Sequence, residues 1–303
     1  TLGVISPSGN EVGPFLAIEQ AALSQIVDAQ SRTAVFARYN LLGSLGTASG
    51  ALAGGWVTQA LQTSGMANIA SYQILLIAYS ACGVLLALMF SLISRSVEAP
   101  TRTGGTSGLL AVSTGSRRRV FGLAALFSLD AFGGGFVIQS IVAWWFQTRF
   151  GMPVGYIGSV FFGANILAGF SALVAARIAK RIGLVNTMVA THIPSNVLLI
   201  LVPLMPSPAL AVAVLIARFS ISQMDVPTRQ SLTMSLVRPE ERSAAAGVTG
   251  VARTTGASIS PAIAGPLMAV PALAGAPFIV AGCLKIVYDL LILKSFRNIE
   301  RRS

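Results

Sequence analysis

Charge is what this chain has least of. Only 10% of its 303 residues are Asp, Glu, Lys or Arg, against a hydrophobic share of 54%. A water-soluble domain carries roughly a quarter charged residues, so the polar surface needed in water is missing. The mean hydropathy of +0.74 agrees. Histidine is reduced to His192 alone, which excludes a metal centre built from several imidazoles. Two cysteines, Cys82 and Cys283, fall inside apolar runs and read as small buried hydrophobes, neither a disulfide nor a metal pair. No GxxxxGK[ST] loop occurs, so a self-contained ATP-driven pump has no phosphate cradle. A basic helix face with interleaved aromatics is absent too, and the net charge of +11 is therefore not read as nucleic-acid binding. No cofactor and no metal are expected. The chain opens at Thr1 without an initiator methionine or a signal-peptide pattern, and reads as the later part of something longer.

What the chain does have is long apolar runs. Crossing the hydrocarbon core takes about 20 mostly apolar residues. On that measure spans are expected at 2–26, 37–60, 71–93, 120–146, 155–176, 185–205, 209–234, 243–268 and 271–294. Each must be helical, because a segment in lipid has to satisfy its own backbone polar groups. Continuous runs without strict alternation argue against a β-barrel. The expected fold is an all-α membrane protein of about nine spans.

The basic residues sort to one side of those spans. Arg32, Arg38, Arg95, Arg102, Arg117, Arg118, Arg119, Arg177, Lys180, Arg181, Arg238, Arg242, Lys294, Arg297, Arg301 and Arg302 share it, whereas the opposite loops offer Arg149. The positive-inside rule makes the crowded side cytoplasmic, with the C-terminus inside. The expectation is a multi-pass protein of the plasma membrane, a bacterial inner membrane included. Residues 94–119, rich in Gly, Ser, Thr and Arg, have the composition of a flexible linker. They divide the chain into 1–93, with three spans, and 120–303, with six.

Sliding the chain by 210 residues against itself matches 19–56 with 229–266. Gln20 meets Gln230, Val27 meets Val237, Arg32 meets Arg242, Gly46 meets Gly256 and Gly55 meets Gly265. Parallel repeats of this kind build transporters from two similar halves.

The tracts VRPEERSAAAGVTG with the downstream SPAIAG (237–265), GTASGALAGG (46–55) and ARIAKRIG (176–183) resemble the major facilitator superfamily. That resemblance implies twelve helices in two six-helix bundles, with the spans here as the fourth to twelfth and the first three missing. It also implies a secondary transporter of a small solute that works as a monomer, by alternating access. Within the resemblance, Ala51 stands where proton-coupled exporters carry proline, Pro261 occupies the matching place in the other half, and Lys180 stands where the loop motif carries aspartate.

Charged groups inside a span cost about 2.5–3.5 kcal/mol each on insertion scales, so they face a cavity or a partner. Those in this chain are Glu11, Glu19, Asp130, Arg218, Asp225, Arg229, Arg253, Lys285 and Asp289. Arg218, Ser222, Asp225 and Arg229 are spaced four, three and four, one face of a continuous helix. Asp225 with Arg229 and Lys285 with Asp289 read as i,i+4 ion pairs, and Asp130 as a partner of Arg253 or as the carrier of a coupling proton. Arg218, near mid-membrane, suits an anionic solute. The resemblance makes the last span peripheral and places the first at the cavity, where Pro7, Gly9, Gly13 and Pro14 bend the chain around Glu11. Substrate and coupling candidates are thus Asp130, Arg218, Asp225 and Glu11. Arg229, Arg253, Lys285, Asp289, Arg32 and Arg242 are gating or structural. Gly46, Gly50, Gly54 and Gly55 form a helix-packing stripe. Trp144 and Trp145 read as an interfacial belt, and His192 as a packed or interfacial residue.

Coupling to protons is favoured over sodium by the buried carboxylates, and export is one direction the tracts allow. Two other readings stand beside the transporter. One is a truncated product that does not transport. The other is an intramembrane serine protease, with Ser49 and His192 as nucleophile and base.

Overall fold

The computed structural model of the chain describes residues 30–91 and 113–300, together with 20, 23, 24 and 26–28. Among these residues every regular element is helical. In order they are α1 (Arg32–Thr63), α2 (Asn68–Ser91), α3 (Thr114–Gly135), α4 (Gln139–Phe150), α5 (Val154–Ile182), α6 (Leu184–Leu201), α7 (Pro208–Ser222), α8 (Asp225–Ser235), α9 (Arg242–Ala269) and α10 (Ala276–Glu300). Six stretches are long and apolar enough to cross a membrane: Asn68–Met89, Gly115–Phe150, Val154–Ile182, Leu184–Leu204, Pro208–Ser235 and Pro271–Arg297. Each falls on an expected span. Helices α1 and α9 occupy two more but carry more Gly, Ser, Thr and Arg and are not among the six. The expected span 2–26 lies almost wholly outside the described residues, and Glu11 and Glu19 lie outside them. Helix α3 starts at Thr114, so Arg117 to Arg119, expected in the linker, belong to its first two turns.

Two of the apolar stretches are broken in mid-course. After Gly133, Gly134 and Gly135 the chain leaves helical geometry at 136–138, then resumes as α4. The second break, at Gln223–Met224, separates α7 from α8. The expected single face carrying Arg218, Ser222, Asp225 and Arg229 is therefore corrected: two residues end one helix and two begin the next. Helix ends elsewhere follow ordinary chemistry. Gly151 closes α4 at φ +65°, a left-handed conformation that glycine adopts without a Cβ clash.

Helix α1 packs along α5 through small residues. A Cβ added to Gly158 would lie 2.7 Å from the Ala51 carbonyl, so the two backbones meet directly. Gly55 is the glycine facing Gly158. Gly46, Gly50 and Gly54 have no neighbour within 4 Å of an added Cβ among the described residues, so of the expected stripe only Gly55 makes the close approach. The Gly155 N–H donates to Gln59 Oε1 at 2.8 Å, and the Trp56 indole donates to Ser159 at 2.9 Å. On the other flank α9 lies against α3, with Gly135 facing Ser260 and Gly256 facing Ser128.

An aromatic core closes the end opposite the arginines. Trp145 is 2% exposed and meets Phe146, Phe150 and Phe278 edge-on or tilted. The expected interfacial belt is corrected for Trp145, which is core, while Trp144 is exposed. Cys82 and Cys283 are also corrected: both are free and exposed on helix surfaces. Helix α2 is apolar all round and exposed along its length, which suits lipid rather than water.

At the Arg-rich end, α1 and α9 begin at positions 210 residues apart, the same offset as the repeat. Arg32 and Arg242 thus open equivalent helices. Thr33 donates to Ser231 at 2.8 Å, Asn40 to Gln230 at 3.0 Å, and Arg242 Nη1 to the Ser24 carbonyl at 2.9 Å. Phe36, Met234 and Ala246 are buried between these bonds.

Glu241, in the turn before α9, accepts from the Ser113 N–H at 2.6 Å and so ties the start of α3 to the start of α9. Burial alone would push its carboxyl up, but hydrogen bonds from Ser113, Ser116 and the Arg238 N–H outweigh that and hold it at about 2. An unfolded chain protonates the same group near 4.5. Between those values the unfolded state binds more protons, so this stabilisation is complete above pH 4.5 and is lost as pH falls toward 2. Glu241→Gln should therefore lower the melting temperature at pH 7 and flatten its fall between pH 4.5 and 2, as thermal melts over that window would read.

Candidate functional site: a buried ionic network

Four helices send ionisable side chains to one place inside the bundle. Asp130 of α3 is its centre. Lys285 of α10 approaches Oδ1 at 2.6 Å, and Arg229 of α8 approaches Oδ2 at 3.1 Å. The same Arg229 Nη1 bonds Asp225 Oδ2 at 2.9 Å. The glycines after Asp130 make room: an added Cβ at Gly133 would lie 3.1 Å from the Lys285 side chain. Arg229 also lies 5.6 Å over the Phe127 ring, an arrangement that holds a guanidinium in an apolar setting.

The second half of the network comes from α6 and α10. His192 Nδ1 lies 2.8 Å from Asp289 Oδ1, and Asn196 donates to Asp289 Oδ2 at 3.1 Å. His192 Nε2 faces Asp130 Oδ1 at 3.9 Å, so the imidazole stands between the two carboxylates. Tyr288 packs edge-on to the imidazole at 6.0 Å. Asp130, Asp225 and Asp289 are 3%, 4% and 0% exposed, which places the charges beyond screening by water.

Several expected pairings change. Asp225 and Arg229 do pair across the start of α8, as their spacing predicts. Lys285 does not pair with Asp289: each turns to a partner on another helix, because burial rewards contacts that saturate both oxygens of Asp130 and of Asp289. Asp130 takes Lys285 and Arg229, not Arg253. The last helix, expected at the periphery, faces the network through Lys285, Tyr288 and Asp289. His192 is a network member rather than packing. Asn196 was not singled out in the sequence, although its place one turn from His192 was a usable signal. Ser49 donates to the Leu45 carbonyl of its own helix, and His192 is committed to Asp289, so the protease pairing does not form.

Arg218 on α7 and Arg253 on α9 stay outside the pairing. Neither has an ion-pair partner among the described residues, and the Nε of each is buried without a hydrogen bond. Arg218 lies 5.2 Å over the Phe219 ring. No group of three or more His, Cys, Asp or Glu side chains suited to a metal ion occurs among the described residues.

Buried charge shared by several spans is the chemistry of membrane transport, and comparison with known proteins agrees. The model of the Major Facilitator Superfamily matches residues 11–261. The chain belongs to that superfamily. An uncharacterized membrane protein of Saccharomyces cerevisiae, YJR124C, is 24% identical over 330 residues, covering 99% of this chain and 73% of the relative. A crystal structure described as a bacterial homologue of the iron transporter ferroportin, in an outward-facing state, has the same fold. It aligns at a TM-score of 0.55 and 15% identity, over 94% of this chain and 67% of that one. As a superfamily member, the protein is a multi-pass membrane transporter that handles small molecules.

Proposed function

We propose that the protein is a proton-coupled secondary transporter of a small solute, working by alternating access, with the network around Asp130 as its coupling centre. One observation carries this reading. Three buried carboxylates face two buried cations, Arg229 and Lys285. A single proton on the His192–Asp289 pair makes the balance even. Both oxygens of Asp130 already hold a cation, so the proton has its place at His192. Adding or removing it changes the charge of a water-poor site by a full unit, which is enough to favour one bundle arrangement over another. The breaks beside Asp130 and Asp225 support the same reading, since transporters place coupling sites at discontinuous helices near the midplane.

By the positive-inside rule, the Arg-rich end faces the cytoplasm of the cell's plasma membrane. The contacts of Thr33, Asn40 and Arg242 across the two repeats then form a cytoplasmic latch that parts when the protein opens inward. A latch closed at that end accords with the outward-facing state named for the solved neighbour. Arg242→Ala removes a hydrogen bond from a charged donor, worth about 1.5–3 kcal/mol. It should speed labelling of an Ala246→Cys thiol by a membrane-impermeant maleimide roughly 10- to 100-fold from the basic side. Equal labelling rates would show that these contacts do not gate.

The test of the transport reading is uptake and efflux of a solute panel by purified protein in proteoliposomes, with and without a pH gradient. Gradient-dependent accumulation of a solute is expected. Equilibration at the same rate and extent with and without the gradient would overturn proton coupling.

A further inference from the structure

Resting on the transport reading, we infer that loading the proton makes two cations exchange partners: His192 takes Asp130, and Lys285 takes Asp289. In the structure Asp130 Oδ1 has Lys285 Nζ at 2.6 Å and His192 Nε2 at 3.9 Å. On the other side of the imidazole, Nδ1 lies 2.8 Å from Asp289 Oδ1. The ring thus stands between two carboxylates, bonded to one and short of the other by about 1 Å.

Counting hydrogens gives each distance its meaning. A nitrogen and a carboxyl oxygen 2.8 Å apart share a hydrogen, so the one hydrogen of the neutral imidazole lies between His192 and Asp289. Nε2 is then a bare lone pair facing the Asp130 carboxylate, and two acceptors keep apart, as the 3.9 Å separation has them. The coupling proton has Nε2 to occupy. It turns that nitrogen into a charged donor aimed at Asp130 Oδ1, and His192 closes the gap. His192 arrives on the oxygen that Lys285 holds, whereas Arg229 sits on Oδ2 and is anchored by Asp225 as well. Like charges crowded at low dielectric repel strongly, so Lys285 is the cation displaced.

Asp289 is placed to receive it. Lys285 precedes Asp289 by one turn of α10, an i,i+4 spacing that the structure leaves unpaired. Asn196 donates to Asp289 Oδ2, yet its own Oδ1 is buried without a hydrogen-bond partner. Asn196 is 0% exposed, so that acceptor has to find its donor inside the protein, and an ammonium arriving at Asp289 supplies one. Gly134 leaves the ammonium room, since an added Cβ there would lie 3.7 Å from Nζ. The other helices packed on α6 offer His192 no further carboxylate. Asp225 of α8 is held by Arg229, and Tyr288 of α10 meets the imidazole edge-on at 6.0 Å. Arg218, the charged residue of α7, lies over the Phe219 ring, and Arg177, Lys180 and Arg181 are exposed in the last turns of α5.

The chain has three lysines, Lys180, Lys285 and Lys294. Lys180 and Lys294 are exposed, and Lys180→Arg with Lys294→Arg leaves Lys285 as the single lysine at unchanged charge. Solid-state NMR of this protein in lipid vesicles, with nitrogen-15 in lysine and histidine and carbon-13 in the aspartate carboxyls, reads which carboxyl lies against Nζ. Above the pH of the His192 protonation step the contact should be with Asp130. Below it that contact should be lost and one with Asp289 appear, a signal that Asp289→Asn deletes. His192→Gln should keep Lys285 on Asp130 at both pH values. A contact with Asp130 that persists across the step, or the same exchange in His192→Gln, would overturn the inference. Gradient-driven transport with Lys285 fixed on Asp130 would overturn the exchange and leave proton coupling standing. Exchange without gradient-driven transport would do the reverse.

Discussion

Asp130→Asn should abolish pH-gradient-driven uptake in proteoliposomes. Among the described residues Asp130 is the one that holds Lys285 and Arg229 together, with each cation on its own oxygen. An amide offers one acceptor oxygen and no charge, so at least one buried cation loses its counter-charge. Breaking a buried pair from one side costs about 3–5 kcal/mol, a large part of the 5–15 kcal/mol by which proteins are typically stable. Loss of transport could then reflect loss of the fold. Asp130→Asn combined with Lys285→Met removes one charge of each sign and should recover most of the melting temperature while remaining inactive. Coupled uptake by Asp130→Asn at the wild-type rate would show that the network is structural scaffolding.

His192→Gln should have a different signature. The amide keeps a hydrogen-bond donor toward Asp289 but cannot carry a proton in the imidazole's place. Gradient-driven accumulation should fall at least tenfold, to the level seen without a gradient, while exchange of solute between the two sides at equal pH continues. Asp289 retains Asn196 as a donor, and His192→Gln combined with Asp289→Asn, which removes the carboxylate left without a cation, controls for any loss of stability. Accumulation unchanged by the substitution would exclude His192 from the proton's path. The contrast between the variants separates the residue that organises the network from the one that loads it.

The sequence carried the helical, membrane-spanning fold openly, since apolar runs of span length have one stable solution in lipid. The 210-residue repeat was legible too, and its first matched arginines, Arg32 and Arg242, both open helices. Among site residues, Asp225 and Arg229 were legible because their partnership is local. The remainder of the network was not. Lys285 bonds a carboxylate 155 residues away and His192 one 97 residues away, so i,i+4 spacing offered Lys285 a nearer but wrong partner. A lone histidine in an apolar span gives no sign of what crosses from the next helix. The helix breaks were half visible: three consecutive glycines announce the first, whereas nothing in Gln223–Met224 announces the second.

The central claim is that one exchangeable proton sits on the His192–Asp289 pair. Because His192 is the single histidine in the chain, labelling histidine with nitrogen-15 reports on that imidazole alone. Titration of the purified protein by nitrogen-15 NMR should show one protonation step within the pH range over which transport turns on and off. A proton shared with the carboxylate should give an Nδ1 resonance that Asp289→Asn displaces along with the step. An imidazole that stays in one protonation state between pH 4 and 9, or a step that Asp289→Asn leaves in place, would contradict the account.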